Sequence, residues 1–179
     1  MSSTPGFVHL RLHTEYSLLE GAVRLKKLPG QCAGLGMPAV AVTDTNNLFC
    51  ALEFSVGAAD AGVQPIIGMQ TDLAYLTPEP GGKPKPPAPL VLLAQNETGY
   101  ENLMELNTCL YVGKQGDLPQ VTLDQIEAHA DGLICLTGGP DGPVGRLLQT
   151  GRRAEAEALL QRLSRAFPDR LYVELQRHP

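Results

Sequence analysis

The amino-acid sequence predicts an α/β fold built on a parallel sheet or barrel, and three observations support this fold class. Short apolar runs alternate with helical patterns at intervals of about 25 to 40 residues, as they do in βα units. Two runs, at residues 39–42 and 90–93, are continuously apolar, which is typical of strands buried on both faces of a parallel sheet. Hydrophobic residues make up 43% and charged residues 18% of the sequence, a composition that indicates a globular chain and excludes a disordered one.

Six strands are predicted from the apolar runs, because aliphatic and β-branched residues dominate them and turn-forming residues bound them. The predicted strands are residues 7–12, 39–43, 64–67, 90–94, 132–136 and 171–175. The sequence ends shortly after the sixth strand, with no helix behind it. A sheet that stops on a bare strand has an unpaired edge, so we expect further residues of the same domain beyond residue 179.

Helical periodicity fills the first two intervals between strands. Residues 22–35 predict a helix that Pro29 should kink or split. Residues 48–61 predict a second helix with a broad apolar face, and Asn46 and Asn47 supply a natural N-cap for it.

Capping residues mark the later helices. Asn96 precedes one helix, and Thr122 with Gln125 forms a capping box for a short fourth helix. Pro168 ends the last helical pattern. The other helices are predicted at residues 97–110, 142–148 and 153–167.

Residues 78–89 are dominated by proline and glycine (PEPGGKPKPPAP). Proline has no backbone N–H to donate, so we expect this segment to be a surface loop that does not pair in a sheet. Its composition favours a tolerated insertion over a recognition site.

Charge and cysteine usage exclude several classes of protein. The net charge is −5 and no basic run exceeds two residues, so the chain lacks the Lys/Arg cluster of a primary DNA-binding element. The four cysteines are far apart without a C-x-x-C pair, which predicts core thiols instead of a zinc site or disulfides. The N-terminus has no signal-peptide pattern and no apolar run approaches the ~20 residues of a membrane span. We therefore expect a cytoplasmic protein with no membrane partner.

Two histidines flank an arginine at the end of the first predicted strand. His9, Arg11 and His13 occupy alternate positions, so their side chains point to one face of the strand. In a barrel, the carboxyl ends of the strands form the mouth of the active site. Histidines held by backbone groups at a strand end would give the same pattern, and this second interpretation stays open.

Polar residues also follow the other predicted strands. They are residues 44–47, Gln70, Asp72, residues 137–139 and His178. A barrel active site needs one polar group from each of several strands, but strand-to-helix turns prefer the same residue types. Spacing alone does not separate the two interpretations.

Residues 7–21 (FVHLRLHTEYSLLEG) resemble the start of the PHP (polymerase and histidinol phosphatase) domain at the N-terminus of bacterial DNA polymerase III alpha subunits. Further segments resemble the family in its order: GMPAVAVTD at 36–44, VQPIIG at 63–68, LLAQN at 92–96, GLICLTGG at 132–139 and FPDR at 167–170. The resemblance spans essentially the whole chain. It implies a PHP-type distorted (β/α)7 barrel that is incomplete at the C-terminus of residues 1–179, with the remaining PHP strands and the polymerase domains outside this chain.

The resemblance also implies where metal-binding members hold their ligands, and this sequence departs from that pattern. Arg11 replaces a ligand histidine, Thr45 replaces a second histidine, and Gln70 replaces a glutamate. Pro89 replaces another histidine and Gly139 a cysteine. The positions that match or nearly match are His13, Glu20 (an aspartate in the family) and His178.

These replacements weaken the implied metal site. Thr45 and Gln70 offer neutral oxygens, which are poor ligands for a zinc-like ion. Arg11 only donates, and a fixed cation about 4 Å from a divalent ion costs about 8 kcal/mol at an effective dielectric near 20. We therefore predict no catalytic residue and no metal cluster in this chain, with weak binding of one residual divalent ion left open. Arg11 is expected to pair with a carboxylate instead, at Glu20, Asp44 or Asp72.

The resemblance implies a parent protein that is a DNA-directed DNA polymerase, which uses Mg²⁺ and contacts DNA in its downstream domains. The PHP region would then be a scaffold that binds the proofreading exonuclease (epsilon) subunit and other replicase subunits. Two alternatives stay open: an error-prone paralogue of the alpha subunit and a metal-dependent PHP phosphoesterase. Phosphoester hydrolysis of that kind needs two or three metal ions, and the replaced ligands argue against it. A generic barrel binding protein would account for the fold but not for the ordered segments.

Overall fold

The computed structural model describes residues 6–76, 86–112 and 118–176. One mixed sheet forms the centre of this described part, in the strand order β1-β2-β3-β5-β6, with β4 paired to β2 outside that path. The strands are β1 (Ala39–Val42), β2 (Gln64–Ala74), β3 (Ala88–Ala94), β4 (Val121–Thr122), β5 (Leu133–Leu136) and β6 (Leu171–Tyr172).

The predicted α/β class is confirmed, but the predicted all-parallel sheet is wrong. The β1–β2 and β5–β6 pairs are parallel, whereas β3 is antiparallel to both β2 and β5. A parallel return needs a crossover of a dozen or more residues, usually a helix. β3 instead runs back antiparallel beside β2, the strand that precedes it in the chain.

The first predicted strand is absent and the sixth is shorter than predicted, and in both places a threonine side chain bonds a backbone N–H. Residues 7–12 are not a strand: His9 forms an isolated parallel bridge with Val40, and the Leu12 N–H donates to Thr43 Oγ1. The segment nevertheless runs alongside β1, since Thr43 N donates to the Leu12 carbonyl at 2.8 Å. At the other edge, the Glu174 N–H donates to Thr137 Oγ1, and β6 ends at Tyr172 instead of residue 175.

Two further strand predictions need correction near the proline-rich segment. β2 continues to Ala74, well past the predicted end at residue 67, because β3 pairs with its second half. Pro89, predicted to lie in an unpaired loop, is in β3 opposite Asp72. Proline is tolerated there because β5 pairs with β3 only from Val91 onward, so Pro89 has no second neighbour that needs its N–H. Residues 78–85 of the predicted loop lie outside the described residues.

The helices agree more closely with the predictions. Proline splits the first one as expected, into a 3₁₀ turn (Leu25–Lys27) and α1, which has Pro29 in its first turn. The Asn96 side chain caps α3 by accepting from Gly99 N at 3.0 Å, and the Thr122–Gln125 capping box is present at α4. The helices are α1 (Leu28–Gly34), α2 (Ala51–Asp60), α3 (Glu97–Tyr111), α4 (Leu123–Ala128), α5 (Pro143–Gln149) and α6 (Arg153–Ala166).

The predicted cap of α2 is wrong. Asn47 Oδ1 accepts from Phe49 N in a turn before the helix, and the N-cap residue is Cys50, which makes no side-chain capping bond. Asn46 is in the left-handed region at φ 54°, and its side chain bonds Asp72 in β2 instead of the helix. An asparagine that bonds its own turn is no longer available to cap the following helix.

The helices cover one face of the sheet and leave the other partly open. Strand residues such as Val42 and Leu92 pack under the helices in two large apolar clusters. The opposite face carries a smaller cluster of Ala41, Val91, Leu93 and Leu136 with Ile66 and Ile134. Above this smaller cluster lies an apolar cleft of about 980 Å³, lined among others by Phe7, Leu10, Leu93, Leu136, Tyr172 and Val173.

The cysteines are free, as predicted. Cys32, Cys50 and Cys135 are buried in the apolar clusters and Cys109 is half-buried. Burial raises the pKa of the Cys32, Cys50 and Cys135 thiols, so the neutral form is favoured. These three thiols are therefore part of the core.

Candidate functional site

A polar network lies at one end of the open face, with the Arg11 guanidinium at its centre. Arg11 Nε and Nη2 donate to Gln70 Oε1 at 3.2 and 2.7 Å, and Nη1 donates to Glu174 Oε1 at 2.8 Å. A longer bond of 3.4 Å joins Nη1 to the Gly138 carbonyl. Arg11 therefore connects three separate parts of the sheet: the segment beside β1, the middle of β2 and the residues after β6.

His13, Glu20 and Thr45 continue the network toward solvent. His13 Nε2 lies 3.1 Å from Gln70 Oε1, and its Nδ1 lies 3.6 Å from Glu20 Oε2. Thr45 Oγ1 donates to Glu20 Oε2 at 2.6 Å and accepts from Gln70 Nε2 at 3.3 Å. The Gln70 amide thus turns its oxygen to the N–H donors of Arg11 and His13 and its nitrogen to the Thr45 hydroxyl.

The carboxylate that pairs with Arg11 is Glu174, and the expected partners Glu20, Asp44 and Asp72 are wrong. Glu174 falls inside the predicted strand 171–175, and the sequence gives it no separate signal as a partner of Arg11. Strand alternation does not identify it, because Glu174 lies beyond the end of β6 and lines the cleft together with its neighbour Val173. Glu174 Oε2 is buried without a hydrogen-bond partner, so the pairing with Arg11 engages only one of the two oxygens.

Asp44 belongs to a separate, fully buried network beneath the site. Its carboxylate accepts from Thr14 N and Thr14 Oγ1, both at 2.7 Å, and from Ser17 Oγ at 2.6 Å. The Cys50 thiol donates to it at 3.2 Å, and burial together with this carboxylate raises the pKa of Cys50 to about 12. This cluster fixes the loop from Thr14 to Ser17 against the end of β1.

Asp72 forms a third polar group on the same face of β2. Asn46 Nδ2 donates to Asp72 Oδ2 at 2.9 Å, and Asp72 N donates back to Asn46 Oδ1 at 3.0 Å. Burial raises the pKa of the Asp72 carboxyl, while the bond from Asn46 opposes that shift. Both Gln70 and Asp72 lie inside β2, although they were predicted to follow it.

The remaining predicted positions contribute less. Gly139 is in the left-handed region at φ 65°, and a side chain there would meet the Gln176 amide at 2.9 Å. Pro89 lies in β3, and its hydrocarbon side chain has no polar atom that could join the Arg11 network. His178 lies outside the described residues. The structure therefore brings together Arg11, His13, Glu20, Thr45 and Gln70, and adds Glu174.

The arrangement does not fit a divalent metal ion. Within the described ranges, no group of three or more His, Cys, Asp or Glu side chains is placed to hold a metal ion. The oxygen best placed between the neighbouring strands, Gln70 Oε1, already accepts from Arg11 and His13. A cation introduced there would face the Arg11 guanidinium, which cannot lose its charge.

The fold and the site define the class of protein, which is an α/β domain with one mixed sheet and a polar network at one end of the open face of that sheet. Comparison with known proteins identifies the family. The model of the PHP domain family matches residues 9–178. The chain therefore belongs to the PHP domain family.

Its relatives include DNA polymerase III subunit alpha of Caulobacter vibrioides, which is 47% identical over 97% of this chain and 15% of that protein. The subunit of the same name from Pseudomonas aeruginosa is 44% identical over 97% of this chain and 14% of its own length. This chain thus spans about 15% of the length of the curated relatives that it matches.

Among solved structures, an amidohydrolase from Chromobacterium violaceum has a similar fold, with a TM-score of 0.54 and 12% identity. The similarity covers 93% of this chain and 84% of that one. At this identity the comparison concerns the fold alone. Separately, none of the helices in the part of the chain that the structure describes is both long and apolar enough to cross a membrane.

Proposed function

We propose that this chain is the PHP region of a replicative polymerase of the DNA polymerase III alpha type, and that the region itself is a non-catalytic scaffold. The observation that carries the proposal is the position of Arg11. Its guanidinium bonds Gln70 and Glu174 at the point where metal-dependent relatives would place ligands. A permanent cation there supplies positive charge to the surrounding acceptors without offering a Lewis acid or a bound water for hydrolysis.

The parent protein would then be a DNA-directed DNA polymerase, a cytoplasmic nucleotidyltransferase whose Mg²⁺ and DNA contacts lie in domains outside this chain. The PHP region would bind the proofreading exonuclease subunit, and through the polymerase it would join the other replicase subunits. Sequence identity over nearly the whole chain to alpha subunits supports this assignment. The acidic balance of the chain also supports a scaffold over a DNA-binding surface.

We further propose that the sheet closes into a distorted (β/α)7 barrel when the following residues of the domain are present. The segment beside β1 and the residues after β6 are the two edges of the sheet, and the Arg11–Glu174 pair bridges them at one end. Edges that flank one absent strand lie roughly 9.6 Å apart, a distance that an arginine and a glutamate span together. The apolar cleft between the same edges, lined by Phe7 on one side and Val173 on the other, would take the side chains of such a strand.

Metal content and hydrolysis test the scaffold proposal. The purified chain is dialysed against Zn²⁺ or Mn²⁺, its metal content is measured, and it is assayed on a phosphomonoester and on single-stranded DNA. We expect substoichiometric metal and no metal-dependent turnover. A matched variant, Arg11→His with Thr45→His and Gln70→Glu, restores the ligand types and should take up more metal. Metal-dependent turnover by the unaltered chain would instead support a PHP phosphoesterase.

Binding to the exonuclease subunit is tested separately. The full-length polymerase and its purified proofreading subunit are combined and analysed by size-exclusion chromatography, with a polymerase lacking residues 1–179 as the comparison. We expect co-elution only when residues 1–179 are present. An unchanged complex in the truncated polymerase would place the docking site elsewhere.

A further inference from the structure

Helix α2 is apolar on two faces, which a surface helix with a single packing partner is not. Ala51, Phe54 and Ala58 are buried against the sheet and form the inner face. On the outer side, Leu52 is 79% exposed and Val56 is 56% exposed. One helix thus carries a second apolar face that nothing in the described part of the chain covers.

The outer residues follow the spacing of a helix-packing seam. Leu52, Val56 and the exposed Ala59 lie at intervals of four and three, and Phe49, which is 71% exposed, extends the row in the preceding turn. Alternating intervals of three and four place side chains in one stripe along a helix. Scattered exposed leucines on a monomer have no such period. The stripe of Phe49, Leu52, Val56 and Ala59 is called the outer stripe below.

Acidic residues flank the outer stripe. Glu53 and Asp60 each follow a stripe residue by one position, which puts both on the same side of it, and both are exposed. The sequence of α2 (ALEFSVGAAD) contains no lysine or arginine. In an antiparallel pair of identical helices these flanks would face each other, so charge repulsion disfavours a second copy of this chain as the occupant.

The loop of residues 15–20, next to α2, also carries exposed apolar side chains. Asn47 Nδ2 donates to the Tyr16 carbonyl while Asn47 Oδ1 accepts from Phe49 N, so one side chain holds the loop beside the stripe. This loop carries Leu18 and Leu19, which are 82% and 107% exposed. Leu18 and Leu19 therefore add exposed apolar side chains beside the outer stripe.

We propose that the outer stripe of α2 docks an amphipathic helix of a partner protein, with an apolar stripe flanked by lysine or arginine. Apolar residues at alternating intervals of three and four would pack against Leu52 and Val56, and basic flanks would pair with Glu53 and Asp60. The outer stripe is separate from the Arg11 network and from the apolar cleft, and only the end of the neighbouring loop, at Glu20, belongs to that network. The proposal stands independently of the polymerase assignment, since it depends only on α2 and the loop beside it.

Two synthetic probe peptides test the proposal. Both are three-heptad helices with leucine at the a and d positions, one with lysine and the other with glutamate at e and g. Each is titrated into the ¹⁵N-labelled chain, and backbone amide shifts are followed by NMR. We expect the lysine peptide to shift amides of α2 and the 15–20 loop and to bind at least about tenfold more tightly than the glutamate peptide, with a difference that shrinks in high salt.

Variants test whether the peptide binds at the outer stripe and whether Glu53 and Asp60 set its preference for basic flanks. Leu52→Glu with Val56→Glu should abolish binding, whereas Leu148→Glu, on an exposed leucine of α5, should leave it unchanged. Glu53→Lys with Asp60→Lys should reverse the preference toward the glutamate peptide. The proposal would be overturned if the lysine peptide left the amide signals of α2 unshifted or shifted only those of the cleft. Equal affinity for the two peptides, or a dimer that forms through α2 without any peptide, would also overturn it.

Discussion

The buried Asp44 cluster and the Arg11–Glu174 pair are both polar, yet they are built in opposite ways. Asp44 accepts from Thr14 and Ser17 in a nearby loop and from Cys50, and the residue is only 1% exposed. Arg11 and Glu174 come from the two edges of the sheet, keep 24% and 17% of their side chains exposed, and leave Glu174 Oε2 without a partner. A satisfied buried carboxylate stabilises local structure, whereas the partly exposed, incompletely paired Glu174 lies where the sheet remains open.

The largest expected effect is at Asp44. Asp44→Ala leaves the donors of Thr14 and Ser17 buried and unpaired, so the free energy of unfolding should fall by about 3 to 5 kcal/mol. Urea denaturation followed by far-UV circular dichroism measures this change. Asp44→Asn, which keeps one acceptor, should lose less. A loss below about 1 kcal/mol for the alanine variant would mean that solvent replaces these bonds.

Arg11 should have the next largest effect. Arg11→Ala frees Glu174 and removes two donors from Gln70, and we expect a loss of about 1 to 3 kcal/mol, since the pair is partly exposed. A double-mutant cycle with Glu174→Gln isolates the pair from the bonds to Gln70. Arg11→Lys should recover less than half of the loss, because a lysine cannot form the same fork. An unchanged denaturation midpoint in Arg11→Ala would show that water already solvates the guanidinium in the folded chain.

Asp72 is intermediate between the two cases and has a distinct pH dependence. Burial raises its pKa in the folded chain, so on raising the pH the unfolded state loses this proton first and the free energy of unfolding falls. This penalty begins near pH ~4, the ordinary value of an aspartate, and is complete above the raised pKa. Asp72→Asn should therefore match the unaltered chain at pH 3 and exceed it in stability at pH 7. The reverse order at pH 7 would show that the bond from Asn46 outweighs burial.

The smallest effect is expected in the loop that joins the two networks. Leu19 lies between Ser17, which bonds Asp44, and Glu20, which bonds Thr45, and its φ is 70°. A leucine in the left-handed region costs about 1 to 2 kcal/mol, which glycine avoids while losing more entropy on folding. Leu19→Gly should thus raise the melting temperature by a few degrees at most. Leu18→Gly, at a residue without positive φ, is the control and should lower it.

How far the sequence predicts this structure depends on whether a feature is local. Asn96 and Thr122 cap their helices as predicted, because each cap is decided within four residues. The antiparallel β3 was not predictable from its apolar run, since orientation depends on the connection and on both neighbours. Five of the predicted site positions, Arg11, His13, Glu20, Thr45 and Gln70, lie in one hydrogen-bonded network, and their descent from a metal site stays a prediction. Glu174 was not predicted, because only the fold brings it to Arg11.

The long separation between Arg11 and Glu174 also has a consequence for the order of folding. The two residues are 163 positions apart, and Gln70 lies 59 positions from Arg11. Contacts this distant in sequence form only after the intervening chain has been synthesised and ordered, and they slow folding. On the ribosome, Arg11 could pair with Gln70 well before Glu174 emerges, and its later pairing with Glu174 reports that nearly the whole sheet has assembled.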